Sequence, residues 1–188
     1  MKFYKVMLVA GMSAALLSGC GSNNNNDAAN NAAIATATAA ATAEAPDAVT
    51  TASIVNQADA FTSAVSDKGN WIVAILNDLT LDKDVVVAGE FHDKGKAEND
   101  IYRKLALYAQ DADRNITATY TLTVPNMTVQ SENFRIQGGT VKGDVTVEAN
   151  GFNLYKDAKI DGNLHFANAD VQATAKIEGT VTGTTDVK

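Results

Sequence analysis

The sequence predicts an all-β fold, a short right-handed parallel β-helix of about five coils with an N-terminal capping helix. Three observations predict it. A polar residue followed by apolar, any, apolar recurs as DVVVAGEFHD from Asp84, KLALYAQDAD from Lys104, NMTVQSENFRI from Asn126, DVTVEANGFNL from Asp144 and NLHFANADVQA from Asn163. These starts lie 20, 22, 18 and 19 residues apart, the period of a solenoid in which each repeat stacks on the last. Asn, Gly and Asp punctuate the apolar alternation, as short strands joined by tight turns require. The variable coil length favours the right-handed type over a strict left-handed hexapeptide repeat. An antiparallel sandwich, whose strands also recur with turn signals between them, is the alternative.

The first element is a leader, residues 1–19. Lys2 and Lys5 provide a positive start, Val6 to Leu17 an apolar run, and small residues precede the sole cysteine, Cys20. The run is shorter than the ~20 residues that span a bilayer, so it reads as a secretory signal and not as a membrane helix. Leu17-Ser18-Gly19-Cys20 resembles the bacterial lipobox. That resemblance implies diacylglycerol on the Cys20 thiol, a mature chain beginning at Cys20, and an extracytoplasmic protein whose first partner is the membrane holding its lipid. A lone cysteine cannot form an intrachain disulfide, and lipidation accounts for it. Two or three acyl chains anchor stably, whereas one does so only marginally.

Residues 20–56 read as a tether. Asn23-Asn24-Asn25-Asn26 and Ala35-Thr36-Ala37-Thr38-Ala39-Ala40-Ala41 offer little to bury and cannot offset the entropy of ordering. A flexible coil of this length reaches roughly 30 to 36 Å, enough to hold a domain clear of lipid headgroups.

Residues 57–188 suffice for one domain. Phe61, Ala64 and Val65, then Trp71, Ile72 and Ile75 beyond Gly69, suggest a helix followed by a strand covering coil one, with Trp71 in the core of that cap. HDKGKAENDIYR interrupts the pattern after Glu90 and predicts a projecting loop. Thr117, Thr119, Thr121 and Thr123 share one face of a strand from Ile116 to Val124. The last three coils continue through turns at Asn133, Asn150 to Gly151 and Asn168 to Asp170 into Phe134 and Ile136, Phe152 and Leu154, and Val171 and Ala173. A third element repeats as Ile136-Gln137-Gly138, Ile160-Asp161-Gly162 and Ile177-Glu178-Gly179. The Thr-rich end from Thr180 caps weakly, which motivates an expectation of self-association.

The chemistry expected is sparse. The whole chain carries a net charge of −7, and residues 57–188 hold 19 acidic against 13 basic residues. Without a basic cluster, this balance argues against nucleic acid. Asp111 and Asp113, with Asp93, Glu98 or Asp100 from the loop, match no known calcium spacing and read as solvated turn residues, so no metal and no cofactor is expected. His92 and His165 are the only histidines, Arg135 should point outward towards an acid of a neighbouring coil, and no nucleophile elbow or phosphate loop is present. No catalytic residue is assigned. Tyr102, Tyr108, Tyr120 and Tyr155 form a candidate ligand surface, suited to a cell-envelope polysaccharide.

WIVAILNDLTLDKDVVVAGEF, IYRKLALYAQDADRNIT and FRIQGGTVKGDVTVEANGFNL resemble segments of small surface lipoproteins of Gram-positive anaerobes, over most of residues 70–165. The coil pattern GDV, KIDG and KIEG also resembles that of bactofilins, polymer-forming β-helix proteins, over a few residues per coil. The first likeness implies surface location and the second fold and end-to-end stacking. Neither implies a reaction, and the function expected is a non-enzymatic structural or interaction role, with a polysaccharide-binding module and, by analogy of fold alone, a carbohydrate-active enzyme as the alternatives.

Overall fold

A computed structural model of the chain describes residues 53–188. The leader, Leu17, Ser18, Gly19, the lipidation site Cys20 and all of the tether except its last four residues lie outside the described residues. Strand pairing begins at Ser53, ahead of the boundary expected at 57.

The described chain is mostly β. In order it forms β1 (Ser53–Ile54), α1 (Ala58–Val65), β2 (Ile72–Ala74), β3 (Leu79–Thr80), β4 (Val85–Val87), β5 (Arg103–Ala106), β6 (Tyr108–Gln110) and β7 (Ile116–Thr119). There follow β8 (Thr121–Val129), β9 (Phe134–Gln137), β10 (Thr140–Val147), β11 (Asn153–Leu154), β12 (Lys159–Asp161), β13 (Leu164–Phe166), α2 (Ala169–Thr174), β14 (Lys176–Ile177), β15 (Thr180–Val181) and β16 (Thr185–Val187). A first sheet runs β1-β2-β5-β9-β11-β14. In a second, β8 pairs with both β3 and β4, β10 pairs with β8, β12 and β13, and β15 and β16 lie outside these. Every ladder in both sheets is parallel, and the lone antiparallel strand pair among the described residues is the hairpin β6–β7.

The register follows from the alternation. Each passage of the chain leaves one strand in the first sheet and two strand segments in the second, then returns one position further on. Val73, Leu105, Ile136, Leu154 and Ile177 align in the first sheet. Leu79, Leu122, Val141, Ile160 and Val181 align in the second, as do Val85, Met127, Val145, Leu164 and Thr185. A third column there holds Val87, Val129, Val147, Phe166 and Val187. The first four members of each column are buried and merge into one core. Each such side chain contributes about 1.5 to 3 kcal/mol of transfer free energy. In the last passage Ile177 and Val187 stay 39% and 41% exposed.

Two repeat assignments are corrected by this register. The segment from Lys104 lies in the first sheet and stacks on Phe134 and Ile136, not beneath the strands starting at Asp84 and Asn126. Ile160-Asp161-Gly162 lies in the second sheet, whereas Ile136 and Ile177 lie in the first. The step from Val85 to Met127 is therefore 42 residues, because the loop after β4, strand β5 and the hairpin β6–β7 all intervene, while Met127, Val145, Leu164 and Thr185 follow at 18, 19 and 21.

Two local expectations also change. Val171 to Ala173 form part of α2 and not a strand, because the Asn168 side chain accepts the Val171 N–H at 2.9 Å and starts a helix. The threonine alternation breaks at Tyr120, leaving Thr117 and Thr119 on the hairpin and Thr121 and Thr123 in the second sheet. Within β10 the bend falls at Gly143, whose φ is 136° and where a Cβ would overlap the Val124 carbonyl.

The first passage is closed by α1, which buries Phe61, Ala64 and Val65. Arg103 fastens it. Its side chain, 1% exposed, donates to the carbonyls of Asn70 (3.1 Å), Ala64 (2.9 Å), Ser66 (3.0 Å) and Ala88, and to the Ser131 hydroxyl at 3.1 Å. The guanidinium also lies 4.1 Å from the Phe91 ring centre. Burial lowers its pKa to about 10, so it is still a cation at neutral pH, placed where the C-terminal carbonyls of α1 favour one.

Candidate functional site

The outward side chains of the first sheet form the candidate site. Val73, Leu105, Ile136, Leu154 and Ile177 form the inward column, so the residues before them, Ile72, Lys104, Arg135, Asn153 and Lys176, form an outward one. Parallel strands are about 4.8 Å apart, which places three cations along one line in an acidic chain.

Arg135 is its centre. The guanidinium sits between two aromatic rings, 5.5 Å from the centre of Tyr102 and 5.1 Å from that of Tyr155. Its Nε donates to the Asn153 Oδ1 at 2.9 Å, and the Asn153 amide in turn donates to the Lys176 carbonyl at 3.3 Å. Arg135 therefore points outward, as its place between Phe134 and Ile136 implies, but its partner is an amide and not the acid expected. Lys104 donates to the Tyr108 hydroxyl at 3.2 Å and lies 5.6 Å from that ring's centre. Its pKa is lowered by burial and then by the neighbouring Arg135 charge, with Asp157 opposing.

The four tyrosines part company. Tyr102 and Tyr155 are half-buried around Arg135. Tyr108 is 8% exposed and packs with Ala74 and Ala106, so it supports Lys104 and offers little surface of its own. Tyr120 lies apart, packed on the main core between β7 and β8. Burial raises the pKa of Tyr102 and of Tyr108, so both stay neutral phenols. Trp71 is not in the core, as the sequence suggested, but half-buried with its ring 6.2 Å from that of Tyr102. It extends the aromatic row.

Beside this column runs an open groove of about 820 Å³. Arg135, Asn153, Lys176, Tyr102, Asn133 and Thr174 line it, together with Asp93 and Asp100 of the projecting loop. The loop is held by the Tyr102 N–H to the Phe91 carbonyl (2.8 Å), the Asp93 N–H to the Asp100 carbonyl (3.0 Å), and the His92 Nδ1–H to the Asn99 carbonyl (2.7 Å). Asp111 is remote, its carboxylate accepting from the Asn115 backbone in the β6–β7 turn, and hydrogen bonds from Asn115 lower its pKa. Among the described residues no three His, Cys, Asp or Glu side chains converge, and no helix is long and apolar enough to cross a membrane.

Of the four tyrosines expected as a ligand surface, Tyr102 and Tyr155 lie against Arg135 and Tyr102 alone lines the groove, and Arg135 points outward as the sequence implies. Sequence reasoning missed that Lys104 shares the Arg135 column, because assigning the Lys104 segment to the wrong sheet separated the two. The chain matches no protein-family model, no curated protein and no solved structure.

Proposed function

We propose that residues 53–188 form a right-handed parallel β-helix of five coils and that the protein is a lipid-anchored, non-enzymatic scaffold presented outside the membrane. The observation that carries the fold reading is the set of inward columns, each advancing one strand per passage through parallel ladders alone. Parallel strands joined by a crossover are right-handed in about 98% of cases, which supplies the hand. A stack of this kind is stiff because every rung is hydrogen-bonded to its neighbours, and it displays outward side chains at fixed intervals.

The anchor rests on Leu17-Ser18-Gly19-Cys20 and the tether on the Asn, Ala and Thr tracts after it. The scaffold thus stands off the lipid surface by the reach of that tether. Metabolic labelling with a fatty acid tests this reading directly. Label and membrane association are expected in the wild type and lost in Cys20→Ala, and an unlabelled, freely soluble wild-type protein would overturn the anchor.

A further inference from the structure

We propose that the groove beside Arg135 binds an acidic polysaccharide that carries a carboxylate on every second sugar. This goes beyond the scaffold reading and stands whether or not Cys20 is acylated. It starts from an electrostatic imbalance. Lys104 and Arg135 are directly opposed across a parallel ladder, an arrangement of like charges that costs stability. Neither forms an ion pair among the described residues.

The nearby carboxylates act on the column without forming an ion pair with Lys104 or Arg135, and Asp157 raises the Lys104 pKa only from a distance. Glu178 pairs with Lys176 at 3.1 Å, Asp157 accepts the Gly138 N–H at 2.9 Å, and Asp93 lies 3.8 Å from Lys94. Sequence distance does not explain the clustering, since Lys104 and Arg135 meet only because two passages stack. An arriving carboxylate would supply the direct ion pair that Arg135 lacks among the described residues, and an arginine fork held by an amide and two rings is pre-oriented to receive it.

The spacing selects the ligand. Arg135 and Lys176 are two rungs apart in the same column, about 10 Å, which corresponds to the repeat of an extended disaccharide unit. A carboxylate on each alternate sugar meets Arg135 and then Lys176, whose exposed pair with Glu178 is weak enough to exchange. Asn133 and Thr174 line the same groove and offer polar groups to sugar hydroxyls, and the half-buried Tyr102 ring offers apolar surface to a sugar face. Asp93 and Asp100, which line the same groove, repel a ligand charged at every position more than one charged at alternate positions, and so favour alternate charge over a polyuronate.

The test is titration calorimetry of the full chain in detergent against hyaluronan oligosaccharides, with polygalacturonate, inorganic polyphosphate and neutral dextran as comparators. Binding to the hyaluronan fragments is expected, weakened at least tenfold in Arg135→Gln and unchanged in Lys83→Gln, which alters a different face. Chemical-shift mapping on the wild type removes dependence on the variant's folding, with shifts expected at Tyr102, Arg135, Asn153 and Lys176. The proposal is overturned by no binding of hyaluronan, by equal or tighter binding of polyphosphate or dextran, or by shifts confined to other residues.

Discussion

Arg103 concentrates more of the fold in one side chain than any other residue described. It takes no carboxylate partner, and five hydrogen bonds to carbonyls and one hydroxyl offset its desolvation. Arg103→Ala leaves the carbonyls of Ala64, Ser66, Asn70 and Ala88 without their donor, and a loss of about 3 to 5 kcal/mol in denaturant unfolding is expected. Arg103→Lys should recover little of it, because an ammonium has no planar fork to reach four carbonyls and a hydroxyl on three chain segments. His92 carries the clearest pH dependence. Its pKa is raised by the Asn99 carbonyl, against burial and with help from Glu90 at 3.3 Å. A raised pKa means that the protonated ring stabilises the loop fully below pH 6.5, and that this support fades as the pH rises through the raised value. Hydrogen exchange at the Asp93 and Tyr102 amides, corrected for intrinsic rates, should show more protection at pH 6 than at pH 8. His92→Gln should abolish that difference.

At the scale of elements, strand existence was legible and sheet membership was not. The alternation in β4, β10 and β13 marks inward residues correctly, because a period of two specifies which face is buried. The same period occurs in β5, and nothing in apolar-x-apolar tells which sheet a strand joins. Only the stacked register does so, and the 42-residue step between the first and second passages hid it. Arg135 and Lys104 were each visible as polar residues among apolar ones, but their adjacency was a consequence of that register. The α2 segment misled for a different reason: Val171 is buried in either conformation, and the Asn168 cap decided for helix. Burial along the columns yields a graded expectation. Ile136→Ala, at a position with no exposure, should cost about 2 to 5 kcal/mol. Ile177→Ala in the same column, 39% exposed, should cost well under half of that, and equal losses in thermal or denaturant unfolding would contradict the stacking order.

For the whole molecule, the proposed leader and tether would set location, while a stack of parallel passages sets the surface. The two features are independent in the sequence, one compositional and one periodic, and each implies little about the other. Net charge gave no hint of a cationic column, since an overall balance of −7 averages over faces that the fold separates. The central claim is that successive passages pair in parallel. Interstrand nuclear Overhauser effects between backbone protons test it most directly, with the antiparallel hairpin β6–β7 serving as an internal reference. The account predicts contacts of the parallel pattern linking Leu122 to Val141, Val141 to Ile160 and Ile160 to Val181. Close Hα–Hα pairs of the antiparallel pattern outside residues 108–119 and the single antiparallel bridge His92–Ile101 of the projecting loop would contradict it and restore the sandwich alternative.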